Sequence, residues 1–302
     1  MLTIFSTPKP FKGHSSIIQR NALKSWKLLY PDVEVILFGD EEGAAEACSE
    51  LGVRHHPHVE RRPSGTKYLN YFFRRASEMA KYDLLCYANC DIVLAEDFRR
   101  AVEHLLLWRN RFLMIGRRWD TDVSGPIDFG LLDWQQQIQA LALTRGTQRS
   151  RHEIDYFVFP RDLYAQIPPL VIGRICWDHF LVAKALAMRV PVVDVSSEVL
   201  AVHQNHDYSY HPGGLSGLSG DDESSQNSKL AGGFRRLRTI DDATHVLERG
   251  TIRRTYRHWR ARLWREYAYV RGGLIGGTHP LRRRLGLTGQ NLRRLGLIPG
   301  AK

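Results

Sequence analysis

Asn89-Cys90-Asp91 follows directly on Leu84–Ala88, a nearly all-apolar run of the kind that forms a strand covered on both faces. An amide oxygen and a carboxylate two residues apart at a strand exit can face one side and share a hard cation. Such a cation can bridge the oxygens of a diphosphate. The same residues also read as an Asx turn leaving a strand. A second concentration of ligand-type side chains is His203-Gln204-Asn205-His206-Asp207-Tyr208-Ser209-Tyr210-His211, at the end of the Val199–His203 run. His203, last in that run, is the best-placed metal ligand, with His206 the alternative. The stretch also reads as a plain surface loop. Its neighbour, the Gly-rich Pro212–Gly220, suits a lid over a substrate.

A third constellation is Gly173-Arg174-Ile175-Cys176-Trp177-Asp178-His179-Phe180, which places Asp178 at a helix start. Asp178 is either the N-cap of that helix or a carboxylate that takes the proton of an acceptor hydroxyl, with Trp177 stacking on a sugar face. Asp155 either hydrogen-bonds an acceptor or closes a turn, and Tyr156 is either an acceptor contact or a core ring. Neither GxGxxG nor GxxxxGK[ST] occurs in the chain. A nucleotide would therefore need another hold on its phosphates, most simply a divalent cation.

Strand and helix signals alternate through the first hundred residues, and these elements must position the candidates. Leu2–Ser6, Val33–Phe38, Val53–His55, Leu84–Ala88 and Phe112–Gly116 read as strands. Between them, a pattern capped by Ser15/Ser16 and ended by Pro31, then Ala44–Leu51, Thr66–Ala80 and Asp97–Trp108 read as helices. Farther on, Tyr156–Phe159, Val190–Val195 and Val199–His203 read as strands and Asp178–Met188 as a helix. Repeated βα units predict an α/β fold with a mostly parallel, Rossmann-like sheet and helices on both faces.

At this point the chain resembles a known class. Asp83-Leu84-Leu85-Cys86-Tyr87-Ala88-Asn89-Cys90-Asp91-Ile92-Val93-Leu94 is similar to the strand and DxD-type motif of metal-dependent GT-A nucleotide-sugar glycosyltransferases, with Asn89 in place of the first Asp. It is more similar still to a bacterial group of that class. That group shares patterns like Gly65-Thr66-x-x-Leu69-Asn70, Gly116-Arg117-Arg118-Trp119-Asp120, Ile154-Asp155-Tyr156-Phe157-Val158-Phe159-Pro160, Gly173-Arg174-x-x-Trp177-Asp178 and His203-Gln204-Asn205-His206-Asp207-Tyr208. The resemblance spans roughly residues 1–215. It implies that Thr7, Pro8 and Asp40 hold a nucleoside, that Thr66 and Asn70 lie near the ribose or diphosphate, and that Asn89, Asp91 and His203 surround Mn2+ or Mg2+. Lys67 stands where the class has Pro, and Asn89 removes one charge from the metal site. The implied activity is transfer of a sugar from a nucleoside-diphosphate-sugar donor to a hydroxyl on a glycan or lipid-linked acceptor, with inversion preferred. A sugar nucleotidyltransferase is the neighbouring alternative, for which Ser6-Thr7-Pro8-Lys9-Pro10 is a poor phosphate loop. A non-enzymatic membrane or nucleic-acid adaptor would leave Asn89, Asp91 and His203 without a role.

The 302 residues carry 43 Lys and Arg against 32 Asp and Glu, a net +11. After Ser228 the balance is 18 basic to 4 acidic residues, a net +14, and the body before it is net −3. These observations predict a catalytic domain over 1–211, a Gly/Ser-rich polar linker over 212–228 and a basic, mostly helical extension over 229–302. Ile252, Tyr256, Trp259, Leu263, Tyr267 and Val270 form one apolar helical stripe among arginines. The stripe suits either packing on the catalytic domain or an anionic membrane surface. No nucleic-acid motif accompanies the charge. Cys48, Cys86, Cys90 and Cys176 form no CxxC pair, and Cys86 and Cys90, flanking an apolar run, read as buried free thiols. The first five residues have no basic leader and no stretch reaches 18 apolar residues, so the expected location is cytoplasmic, with peripheral attachment to the inner membrane face.

Overall fold

The strands of the structure, a computed structural model that describes residues 1–206, 221–233 and 236–276, include the apolar runs bounded by turn residues. They are β1 (Thr3–Ser6), β2 (Glu34–Phe38), β3 (Arg54–His56), β4 (Leu84–Ala88), β5 (Ile92–Val93), β6 (Leu113–Ile115), β7 (Arg118–Thr121), β8 (Thr147–Gln148), β9 (Tyr156–Pro160), β10 (Val192–Asp194), β11 (Ala201–Gln204), β12 (His245–Glu248) and β13 (Thr251–Arg254). The helices are α1 (Gly13–Lys27), α2 (Ala44–Leu51), α3 (Leu69–Met79), α4 (Glu96–Trp108), α5 (Trp134–Arg145), α6 (Trp177–Ala187), α7 (Asp222–Leu230) and α8 (Arg257–Gly276).

A nine-stranded sheet has the order β13-β12-β10-β6-β9-β4-β1-β2-β3. β9 pairs antiparallel with β4 and β6, and β13 antiparallel with β12; the other pairs are parallel. The period of two along each strand splits the core into two apolar layers. Ile4 and Cys86 face one layer, filled by Trp26 of α1 and Phe98 and Leu105 of α4. Phe5, Leu85 and Tyr87 face the other, filled by Phe72 and Phe73 of α3 and Trp177 and Leu181 of α6. Burial on both faces explains why β4 carries no polar residue. All four cysteines are buried free thiols.

A second, four-stranded sheet has the order β5-β11-β7-β8. Nothing in the sequence reading anticipates β5, β7, β8 or α5. In this sheet His203 stands opposite Ile92 on one side and Asp120 on the other. Asp91, one residue before β5, is thereby brought to His203.

The domain boundary is corrected. The first compact unit runs from Met1 to Thr255 and the second from Tyr256 to Lys302. Asp222–Ser228, read as linker, falls within α7, which is helical because Asp221 caps it through Ser224 N and because Asn227 docks on Val171. β12 and β13, read as extension, join the main sheet through β10. Two helix starts also move. α1 begins at Gly13, before Ser15 and Ser16, and Cys176, not Asp178, is the N-cap of α6. Within the second unit α8 begins at Arg257. Ile252 lies in β13 and Tyr256 precedes the helix, so the stripe begins at Trp259 and includes the exposed Leu263 and Tyr267. No described helix is long and apolar enough to cross a membrane. The proposed lid, Pro212–Gly220, lies outside the described residues.

Candidate metal and donor site

The exits of β1 and β4 meet where ligands sit in open α/β sheets. Ser6 Oγ donates to Ala88 O at 2.6 Å and locks these two strand ends together. The chain then turns: Ile92 N donates to Asn89 O at 3.1 Å. Buried Gln204 of β11 holds the turn by donating from its backbone and side chain to Asp91 O, each at 3.1 Å. Asn21 and Trp26 of α1 brace the same region, donating to Gln204 Oε1 at 2.9 Å and Ile92 O at 2.8 Å. The turn at Asn89-Cys90-Asp91 is thus closed by backbone groups, not by the Asn89 side chain.

Asp91, His203 and His206 offer ligand atoms that all lie within 4.8 Å of one another. Asp91 Oδ2 is 3.2 Å from His206 Nε2 and 3.9 Å from His203 Nε2, with Lys9 Nζ at 3.7 Å. Burial works against the charge of Asp91, but His203, His206 and Lys9 hold its carboxyl well below the usual range. Its second oxygen, Oδ1, is buried and accepts no hydrogen bond among the described residues. A buried anionic oxygen without a donor is costly, and two imidazoles beside it form a donor set that fits a divalent cation. Both histidines, the preferred ligand and its alternative, are in the group.

Asn89 is turned elsewhere. Its Oδ1 accepts from Tyr87 Oη at 3.0 Å and its Nδ2 donates to Asp155 Oδ1 at 2.6 Å. The other Asp155 oxygen accepts from Arg118, whose Nε donates to Asp120 Oδ1 at 2.8 Å. A chain of polar groups thus runs from Asn89 through Asp155, Arg118 and Asp120 to His203, whose Nδ1 is 3.1 Å from Asp120 Oδ1. Asp178, in the first turn of α6, is 18 % exposed at its side chain. Burial pushes its carboxyl up; the adjacent His179 opposes this, and the charge of Asp155 adds to it.

On the other side of β1, Thr7, Pro8 and Asp40 are linked to one another through Lys67, Glu41 and Arg61. Thr7 Oγ1 donates to Phe38 O at 2.6 Å, tying β1 to β2. Buried Lys67 donates to Thr7 Oγ1 at 2.6 Å and Pro8 O at 2.8 Å, and pairs with Glu41 at 2.6 Å. Arg61 pairs with both Glu41 and Asp40. Gly39, at φ +134°, is where Glu41 folds back: a Cβ there would meet Glu41 Oε2 at 2.2 Å. Lys67 in place of proline is therefore a built-in strut of this loop. Thr66 donates to Glu223 of α7 at 2.8 Å, and Asn70 has a buried Oδ1 that accepts no hydrogen bond among the described residues.

Two expected acceptor contacts are core residues. Tyr156 is fully buried, edge-on to Phe98, with its hydroxyl against Gly116, where a Cβ would come within 2.0 Å. Trp177 is buried edge-on to Tyr87 and tilted on Phe157. Both belong to the packing behind the site, since their positions point inward from β9 and α6.

No protein-family model matches the chain, and no curated protein is detectably similar to it. Among solved structures, Staphylococcus aureus TarS 1–349 in complex with UDP-GlcNAc matches 99% of this chain and 81% of its own, at 10% identity and a TM-score of 0.53. Glucosyl-3-phosphoglycerate synthase from Mycobacterium tuberculosis in complex with Mg2+ and UDP matches 77% of this chain and 80% of its own, at 14% identity and a TM-score of 0.48. The chain has a GT-A fold, shared with TarS.

Proposed function

We propose that this GT-A chain is a metal-dependent glycosyltransferase that moves a sugar from a nucleoside-diphosphate-sugar donor to a hydroxyl acceptor. The observation that carries the reading is the Asp91–His203–His206 group, with its unsatisfied Asp91 Oδ1, at the exit of β4. The complex of TarS, which shares the fold, with UDP-GlcNAc supports a nucleotide-sugar donor. Asp91, His203 and His206 would hold the cation, which would supply positive charge beside the departing diphosphate. Two imidazoles and one carboxylate suit Mn2+ better than Mg2+, which prefers an all-oxygen shell.

The remaining roles fall to the chain's own groups. Thr7, Pro8 and Asp40, tied together by Lys67, Glu41 and Arg61, form the nucleoside side. Thr66 and Asn70 serve the ribose or diphosphate. Asn89 and Arg118 hold Asp155, which hydrogen-bonds the acceptor and raises the basicity of Asp178. Asp178 takes the acceptor proton as the acceptor oxygen bonds to the anomeric carbon and the bond to the diphosphate breaks, giving inversion. Acceptors are glycans or lipid-linked hydroxyls, and the basic residues after Thr255 draw the enzyme to an anionic membrane face.

Thermal shifts with UDP-, GDP-, dTDP- and CMP-sugars test this reading. One donor type raises Tm only with Mn2+ present, and Asp91→Ala removes the effect. No stabilisation by any of them with Mn2+ sinks it.

A further inference from the structure

Lys9 is held more firmly than a surface lysine requires. It stands between Pro8 and Pro10, and a residue before proline is confined to extended backbone. Its N–H donates to Gln19 Oε1 at 2.7 Å, and its carbonyl accepts from Gln19 Nε2 at 3.0 Å. Gln19 is itself buried on α1. One residue earlier, Pro8 O accepts from the buried Lys67. From this fixed backbone the Lys9 stem delivers Nζ to 2.8 Å from His206 Nε2 and 3.7 Å from Asp91 Oδ2. A third of the side chain remains open to solvent, so the ammonium has room to leave.

An ammonium this close to two ligand atoms lies within the reach of any cation those atoms would bind. Like charges at such range repel strongly even at the effective dielectric of a protein surface. We propose that Lys9 is the resident counter-cation of the Asp91–His203–His206 group. A divalent cation displaces its ammonium, which then serves the diphosphate of the donor from the same anchored backbone. The proposal rests on the metal-dependent reading above and adds a competitor and a second diphosphate contact to it.

Mn2+ binding to the full chain, followed by electron paramagnetic resonance of the free ion without nucleotide, tests the first half. Lys9→Met binds Mn2+ at least about fivefold more tightly than the unaltered chain, and Lys9→Arg, which keeps the charge, stays within about twofold of it. Calorimetry with UDP at saturating Mn2+ tests the second half: Lys9→Met binds UDP about tenfold more weakly, about 1.4 kcal/mol. Equal Mn2+ affinity of Lys9→Met and the unaltered chain, with binding lost in Asp91→Ala, overturns the Lys9 proposal and leaves the metal site standing. Tightening in Lys9→Arg as well as Lys9→Met overturns a charge-based competition. Tighter Mn2+ with unchanged UDP affinity overturns the diphosphate contact. No Mn2+ binding by either Lys9→Met or the unaltered chain overturns both readings together.

Discussion

His203 Nδ1 lies 3.1 Å from Asp120 Oδ1, and the two residues stand directly opposite each other on β11 and β7. The other ring nitrogen, Nε2, faces Asp91 Oδ2 at 3.9 Å. Burial alone would push the Asp120 carboxyl up, but the adjacent His203 and the charges of Arg118 and Arg149 hold it below its ordinary value. An ionised carboxylate on Nδ1 orients the ring and leaves Nε2 with its lone pair toward the cation group. Such outer partners typically change metal affinity by about 10–100-fold. Asp120→Ala should weaken Mn2+ binding by about tenfold or more, with far-UV circular dichroism unchanged. Equal affinity would reduce Asp120 to an ion-pair partner of Arg118 and Arg149.

The donor set makes a second prediction, on metal choice. Mg2+ dehydrates reluctantly and favours oxygen, whereas imidazole suits the later divalent ions. Mn2+ should therefore support nucleoside-diphosphate binding at concentrations at least about tenfold lower than Mg2+. Calorimetric titration of UDP at graded Mn2+ and Mg2+ reads this directly. Equal potency would argue that only Asp91 among the three binds the ion.

Asp178→Asn should move activity and stability in opposite directions. Its folded pKa is raised, chiefly by burial, above the unfolded value of about 3.9. A carboxyl raised in the folded state contributes stability that is complete below the unfolded pKa and is lost as pH rises through the folded pKa. At neutral pH the ionised group therefore burdens the fold. Asp178→Asn should raise Tm at pH 7, with the gain fading toward pH 3. The same change should lower turnover by about 10²–10⁴ while donor binding holds. A lowered Tm with less than about tenfold loss of turnover would make Asp178 a helix-stabilising residue of α6 only.

The Lys67–Glu41 pair braces the loop after β1. Burial lowers the Lys67 pKa and the charge of Arg61 adds to this, while Glu41 opposes both. Removing Glu41 strands a buried ammonium, a change that costs about 3–5 kcal/mol in comparable pairs. Glu41→Ala should lose about 3 kcal/mol in urea unfolding. A base with a lowered folded pKa binds fewer protons folded than unfolded, so stability rises with pH up to the unfolded value near about 10.4. The deficit of Glu41→Ala should therefore shrink as pH climbs from 7 toward 10. A deficit below about 1 kcal/mol would show that Arg61 and Asp40 hold the loop without Glu41.

The legible parts of the chain are those in which local pattern and tertiary burial agree. Leu84–Ala88 reads as a central strand because both its faces are covered, and Leu69, Phe72, Phe73 and Ala76 read as a helix face because all four are buried on one side of α3. Asp91, His203 and His206 were legible from residue type and strand exits. The small sheet was not. β5 and β8 are two residues each, and β7 is Arg118-Trp119-Asp120-Thr121, a sequence whose strand geometry comes from pairing with β11 and β8. Asp120, Lys67 and Glu41 carry no local signal of their place in the site, because His203 is far from Asp120 in sequence and Lys67 is far from Thr7 and Glu41. Tyr156 and Trp177 drew attention as aromatics beside carboxylates, but strand alternation and helix phase send both rings inward.

The boundary after Thr255 sets the last prediction. β12 pairs with β10 through Val193↔His245 and Asp194↔Val246, and β13 closes the sheet on β12. Leu247 is buried in the layer that holds Val193 and Phe98, and Ile252 packs against that layer. A chain ending at Ser228 loses both strands and uncovers the β10 edge, inviting aggregation. One ending at Thr255 keeps the first compact unit whole. The shorter chain should be recovered as aggregate, and the longer should unfold cooperatively with Tm within a few degrees of the full chain. The longer chain should also lose sedimentation with anionic vesicles at low salt, because the exposed Trp259, Leu263 and Tyr267 and the arginines around them are gone. Equal sedimentation of the full chain and the chain ending at Thr255 would place any membrane attraction on the first unit. A soluble, cooperatively folding chain ending at Ser228 would show that β12 and β13 are an addition to the sheet and no part of its core.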